Sequence, residues 1–106
     1  MQHIGIDEYV IDVLMPDLAG HDRSPAAFLV YVFLWAELYR TEQKQVPASL
    51  QRLAEGTGLS KSAVQAALRR LKRRGLVQVK KSSPTAVPEY ALVRHWIQRR
   101  ARAAFK

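Results

Sequence analysis

The stretch that decides the fold is SLQRLAEGTGLSKSAVQAALRRLKRRGLV, running from Ser49 to Val77. Leu50, Leu53 and Ala54 recur at helical spacing and form the inward stripe of a short helix that stops at Gly56 or Thr57. Gly58 permits the left-handed backbone of a tight turn, Leu59 anchors that turn, and Ser60 offers a hydroxyl to cap a second helix. In the second helix, about 60–74, Val64, Ala67, Leu68 and Leu71 make the apolar stripe. Lys61, Ser62, Gln65, Arg69, Lys72 and Arg73 lie on its other faces, and Gly75 supplies the stop. The Gly56-Thr57-Gly58 run has no preceding strand and lacks the longer glycine spacing of nucleotide folds, so it reads as a plain turn. Two short helices joined by a glycine-containing turn, the second presenting polar and basic side chains, form a helix-turn-helix pattern.

Downstream of Gly75 the period changes from helical to alternating. LVQVKK (76–81) reads as a strand, SSPTAVP (82–88) as a loop and EYALV (89–93) as the returning strand, so a β-hairpin follows the second helix directly. Upstream, Ser24-Pro25 is a cap and first-position signal for a helix reaching Arg40. That helix is apolar on every side, so it is either the central helix of the domain or is completed by a second copy of the chain. Phe28, Tyr31, Trp35, Tyr39 and the later Trp96 are the candidates for such a contact. Val46-Pro47 is at most a very short edge strand. Residues 4–18 place Ile6, Val10, Val13 and Leu14 on one helical face, with Asp7 as a cap and Pro16 ending the helix near Met15. Residues 18–22 read as a loop. HWIQRRARAAFK (95–106) has helix-forming composition, with Trp96, Ile97, Ala101 and Phe105 able to face the domain.

With 106 residues, 48% of them hydrophobic, the chain suffices for one domain and not two. We divide it into an N-terminal extension (1–22), a core (24–93) and a basic C-terminal helix (94–106). Zero cysteines exclude disulfides, thiolate metal sites and cysteine nucleophiles, which fits a reducing cytoplasm. Met1 to Ile6 carries no basic region followed by an apolar stretch, so no leader is expected, and no uncharged run approaches the ~20 residues of a membrane span. The net charge of +8 is unevenly divided: four basic and eight acidic residues precede Ser60, whereas thirteen basic residues and the single acid Glu89 follow it. The second helix therefore opens the +12 part of a chain whose first part is −4. A polyanion docking on one side is the expected counterpart of that polarity.

These residues resemble a winged helix-turn-helix DNA-binding domain of the prokaryotic type. The run LAEGTGLSKSAVQAALRRLKRRGLV followed at once by a hairpin is similar to the corresponding stretch of GntR- and MarR-like transcriptional regulators. It is also similar to the winged-helix domains of plasmid and phage replication initiators. The expected fold is mainly α with a small β-hairpin wing. The resemblance implies that the second helix enters the major groove of double-stranded DNA, with Lys61, Ser62, Gln65 and Arg69 reaching bases. Ser60 would offer the helix N-terminus to a phosphate, Arg70, Arg73 and Arg74 would lie beside the backbone, and the wing would touch it through Lys80, Lys81, Ser82 and Ser83. A sequence-specific, cytoplasmic, homodimeric regulator is the leading expectation. A replication or partition initiator and a protein or RNA interaction module are the alternatives.

No catalytic constellation is apparent, and neither a cofactor nor a metal is expected. His3, His21 and His95 are far apart in sequence, and no acidic partners for a zinc site are suggested. Trp35 and Trp96 could line a small-molecule effector pocket, but aromatic residues on apolar helix faces usually belong to a core.

Overall fold

A computed structural model of the protein describes residues 2–97. Helix α1 (Pro25–Thr41) is followed by strand β1 (Val46–Pro47), helices α2 (Leu50–Thr57) and α3 (Lys61–Arg73), and strands β2 (Val77–Lys80) and β3 (Glu89–Leu92). The strands form one antiparallel sheet in the order β1-β3-β2. β2 and β3 are the hairpin, with Val77 opposite Leu92 and Lys80 opposite Glu89. β1 adds an edge of two residues, where Pro47 faces Glu89 without having to donate a central ladder bond. This is a mainly α winged helix-turn-helix architecture.

Local chemistry sets the helix limits. Three serines cap three helices: Ser24 Oγ accepts from Ala27 N–H, Ser49 Oγ from Arg52 N–H and Ser60 Oγ from Ala63 N–H. α2 closes on Gly58 at φ 79°, and α3 runs into Gly75 at φ 67°. Around Gly75, Leu76 N–H donates to Leu71 O at 2.9 Å and Gly75 N–H to Lys72 O at 3.0 Å, the paired bonds of a glycine-terminated helix end. Leu76 is buried, so the stop also fixes where the hairpin starts.

Of the two arrangements open to α1, the structure has the central one. Ala27, Val30, Tyr31, Leu34 and Trp35 are buried, and the helix packs against α2, α3, β1, β3 and the N-terminal segment. This corrects three of the five aromatic contacts expected for a second copy. Tyr31, Trp35 and Trp96 are 0%, 7% and 6% exposed within the chain itself, because α1 is wrapped by its own neighbours. Phe28 is half-buried and Tyr39 is half-exposed. Tyr31 carries the one fully buried side-chain oxygen with no hydrogen-bond partner among the described residues, and burial pushes its phenol well above the ordinary tyrosine range.

The N-terminal segment also departs from expectation. Pro16 does not end it: wide, π-type turns cover Val10–Leu14 and Pro16–His21. Met15 N–H donates five residues back to Val10 O, and Asp22 N–H donates to Asp17 O at 2.8 Å. This wider winding accommodates a proline with no N–H to give. Its gain is Leu18, which continues the four-residue stripe of Val10 and Leu14 and is 0% exposed, a burial worth roughly 1.5–3 kcal/mol. Val13, placed inward by a 3.6-residue period, is instead 40% exposed.

Asp7 does not cap with its side chain. Its carbonyl accepts from Val10 N–H, while its carboxylate takes the Arg94 guanidinium and the Trp96 indole N–H, each at 2.8 Å. Tyr9 stacks on Trp96 with ring centroids 4.5 Å apart, and Trp35 Nε1 donates to Gly5 O at 2.7 Å. Residues flanking the core on both sides are thus joined to each other. Trp96 lies within a helical turn at 95–97, and Ala101, Phe105 and the arginines beyond it lie outside the described residues.

Gly56 is not a turn residue. It lies inside α2, where a Cβ would stand 2.1 Å from Cε2 of Phe33, so this glycine lets α2 close onto α1. No helix among the described residues is long and apolar enough to cross a membrane.

Candidate nucleic-acid interface

α3 divides cleanly into two faces. Val64, Ala67, Leu68 and Leu71 are buried, which aims the opposite side outward. Ser60, Lys61, Ser62, Gln65, Arg69 and Arg73 are exposed, and Arg70 is half-buried. Ser62, Gln65 and Arg69 fall at i, i+3 and i+7, hence along one outward stripe. Ala66 and Lys72 are also exposed there, two positions the sequence reading left out of the site although the same periodicity places them. α3 contains no acidic residue. Its start is closed by two hydroxyls, Ser60 Oγ lying 3.2 Å from Ser62 Oγ while it caps Ala63. The remaining first-turn N–H groups add a positive dipole end beside Lys61.

The wing carries the other expected contacts. Lys80, Lys81, Ser82 and Ser83 are all exposed. Lys81 Nζ reaches Pro84 O at 3.4 Å, so its ammonium sits over the loop. Lys80 stands directly opposite Glu89, the only acid of the second part of the chain, which offsets its charge across the strands.

Arg74 behaves differently from its neighbours. At the C-cap of α3 it gives one terminal nitrogen to Asp22 Oδ2 at 2.7 Å and the other to Asp17 Oδ2. Asp22 is only 6% exposed, and its second oxygen lies 3.1 Å from His21 Nδ1. The His21 hydrogen bond, helped by the Arg74 and Arg70 charges, holds the Asp22 carboxyl below the usual aspartate value against the opposing effect of burial. His21 therefore does have acidic neighbours, Asp17 and Asp22, contrary to the sequence reading. The cation those carboxylates hold is a guanidinium. No local pattern signals this pairing, because 57 residues separate Arg74 from Asp17.

Away from α3, a groove of about 760 Å³ lies between residues 5–7, the second half of α1 and β3. Trp35, Tyr39, Lys44 and Arg94 contribute to its walls, with the Arg94 guanidinium 4.9 Å above the Trp35 ring. Trp96 does not line it.

Fold and surface together define a winged helix-turn-helix domain whose second helix turns a basic and polar face to solvent. Residues 36–86 match the model of the MarR family, a family of winged-helix transcription regulators that bind DNA. The match is to a regulator family and not an enzyme family. It runs from the second half of α1 through α2 and α3 into the wing loop, just under half of the chain. Comparison with curated proteins finds no match.

Proposed function

We propose that this protein is a cytoplasmic, homodimeric transcription regulator that binds double-stranded DNA at a specific sequence. α3 lies in the major groove and the wing lies along the backbone or the adjacent minor groove. The observation that carries the reading is the outward stripe of α3. Gln65 and Arg69 stand on an acid-free helix face rigidly backed by a buried stripe, and these are side-chain types that pair with adenine and guanine edges. Ser60 and Lys61 meet a phosphate at the helix start, Arg73 and Arg70 flank the backbone, and Lys81 with Ser82 and Ser83 serves the wing. A homodimer would present two such helices about 34 Å apart to a palindromic site.

The test is selection of bound duplexes from a random pool at near-physiological salt, with the oligomeric state fixed by sedimentation. A consensus is expected. Gln65→Ala and Arg69→Ala should each relax base preference at particular positions, at a cost of about 1–3 kcal/mol, whereas Lys81→Ala should weaken all duplexes about equally. Recovery of no consensus would sink specific regulation. A wing substitution that shifted base preference while the helix substitutions left it intact would reverse the assignment of the reading element.

A further inference from the structure

α3 is held from below by Val64, Ala67, Leu68 and Leu71. Apolar contacts of this kind are individually non-directional and seat the helix through close packing. The polar contact between α3 and the N-terminal segment is of another kind. A planar guanidinium bridging two carboxylates has a defined geometry, and the Asp22 side chain is largely covered by its partners. Arg74 also sits at a junction. It caps α3, and Gly75 and Leu76, which end the helix and start the hairpin, follow it at once. Whatever holds Arg74 therefore holds both the reading helix and the root of the wing.

We propose that Arg74 is a positioning residue: clamped by Asp17 and Asp22 of the N-terminal segment, it sets the orientation in which α3 and the wing meet DNA, and makes no phosphate contact itself. This rests on the DNA-binding reading above. It assigns the segment before Ser24, which lies outside the matched family region, a direct part in recognition. The charge balance sharpens it. Removing both carboxylates takes away two negative charges, which by electrostatics alone would strengthen binding to a polyanion, so an electrostatic account and a positioning account predict opposite signs.

The experiment compares the wild-type chain with Asp17→Asn/Asp22→Asn, Arg74→Lys and Arg74→Gln on the selected duplex and on unrelated duplex, over a salt series. Positioning predicts that the double Asn variant loses specific affinity by about three- to thirtyfold although it has shed two negative charges. Arg74→Lys, which keeps the charge and loses the bridge, should fall with it. Binding to unrelated duplex and the salt slope should stay at wild-type values. Faster amide exchange at Gly75 and Leu76 in these variants, with the thermal transition retained, is expected whether or not DNA is present. Equal or tighter specific binding by the double Asn variant overturns the proposal. So does a salt slope that shallows by about 0.9 per protomer in Arg74→Gln, the mark of a lost phosphate contact. If the DNA-binding reading itself fails, the wild type alone reveals it by preferring no duplex.

Discussion

Gly56 shows how much of this fold hangs on one missing methyl group. Its position in α2 is poor for a glycine on propensity grounds, since alanine in a helix interior is worth about 1 kcal/mol more. The glycine is there because the Phe33 ring occupies the space a Cβ would take, with Cζ at 2.5 Å as well as Cε2 at 2.1 Å. A Cβ here would force the half-buried Phe33 ring to move, together with the Arg52 guanidinium 5.6 Å from its centroid. Gly56→Ala should therefore destabilise the domain by about 1–3 kcal/mol in chemical denaturation, the propensity gain notwithstanding. The loss should shrink when Phe33→Leu is present. A stabilised Gly56→Ala protein would mean that α2 does not approach α1 as closely as described. Sequence alone favoured a turn at this glycine because Gly-Thr-Gly carries a turn signal, while the aromatic ring that demands it is 23 positions away.

At the scale of elements, what was legible was what is local. The starts of α1, α2 and α3 follow from Ser24, Ser49 and Ser60, and the ends of α2 and α3 from Gly58 and Gly75, because capping bonds span only a few residues. The hairpin was legible for the same reason. Met15 to His21 was misjudged because the penalty for helix before proline is local, whereas the burial of Leu18 that outweighs it is tertiary. Ser60 is a place where a structural role and a functional one can be separated. It caps α3, so Ser60→Ala should cost about 1 kcal/mol of stability in a thermal or denaturant melt. Aspartate caps equally well and suits the helix dipole, so Ser60→Asp should keep the stability of the wild type. The added negative charge at the helix start should nevertheless weaken duplex binding, and more strongly at low salt. Unchanged affinity in Ser60→Asp would remove the α3 N-terminus from the phosphate contacts.

For the whole molecule, the division into an acidic first part and a basic second part is real in sequence but stitched together in space. Asp7 takes Arg94, and Asp17 with Asp22 takes Arg74, so two of the thirteen late cations are held by early acids. These pairs span 52 to 87 positions, beyond any local signal, which is why charge counting alone overstated the cations available to a polyanion. Lys61, Arg69, Lys72, Arg73 and Lys81 stand exposed with no ion pair among the described residues. Arg70 also feels Asp22, and Lys80 faces Glu89. Each phosphate neutralised contributes about 0.9 to the slope of log affinity against log salt, so five to six effective contacts per protomer give a slope of roughly −4.5 to −5.5. Substitutions should sort by pairing and not by charge. Arg73→Gln should shallow the slope by about 0.9 per protomer, whereas Arg94→Gln, the removal of an equal charge from Asp7, should leave it unchanged. Titrations on one duplex across a salt series decide this. Equal changes in the two variants would mean that the protein meets DNA through its overall field, and that the ion pairs joining the two parts of the chain do not select which arginines reach phosphate.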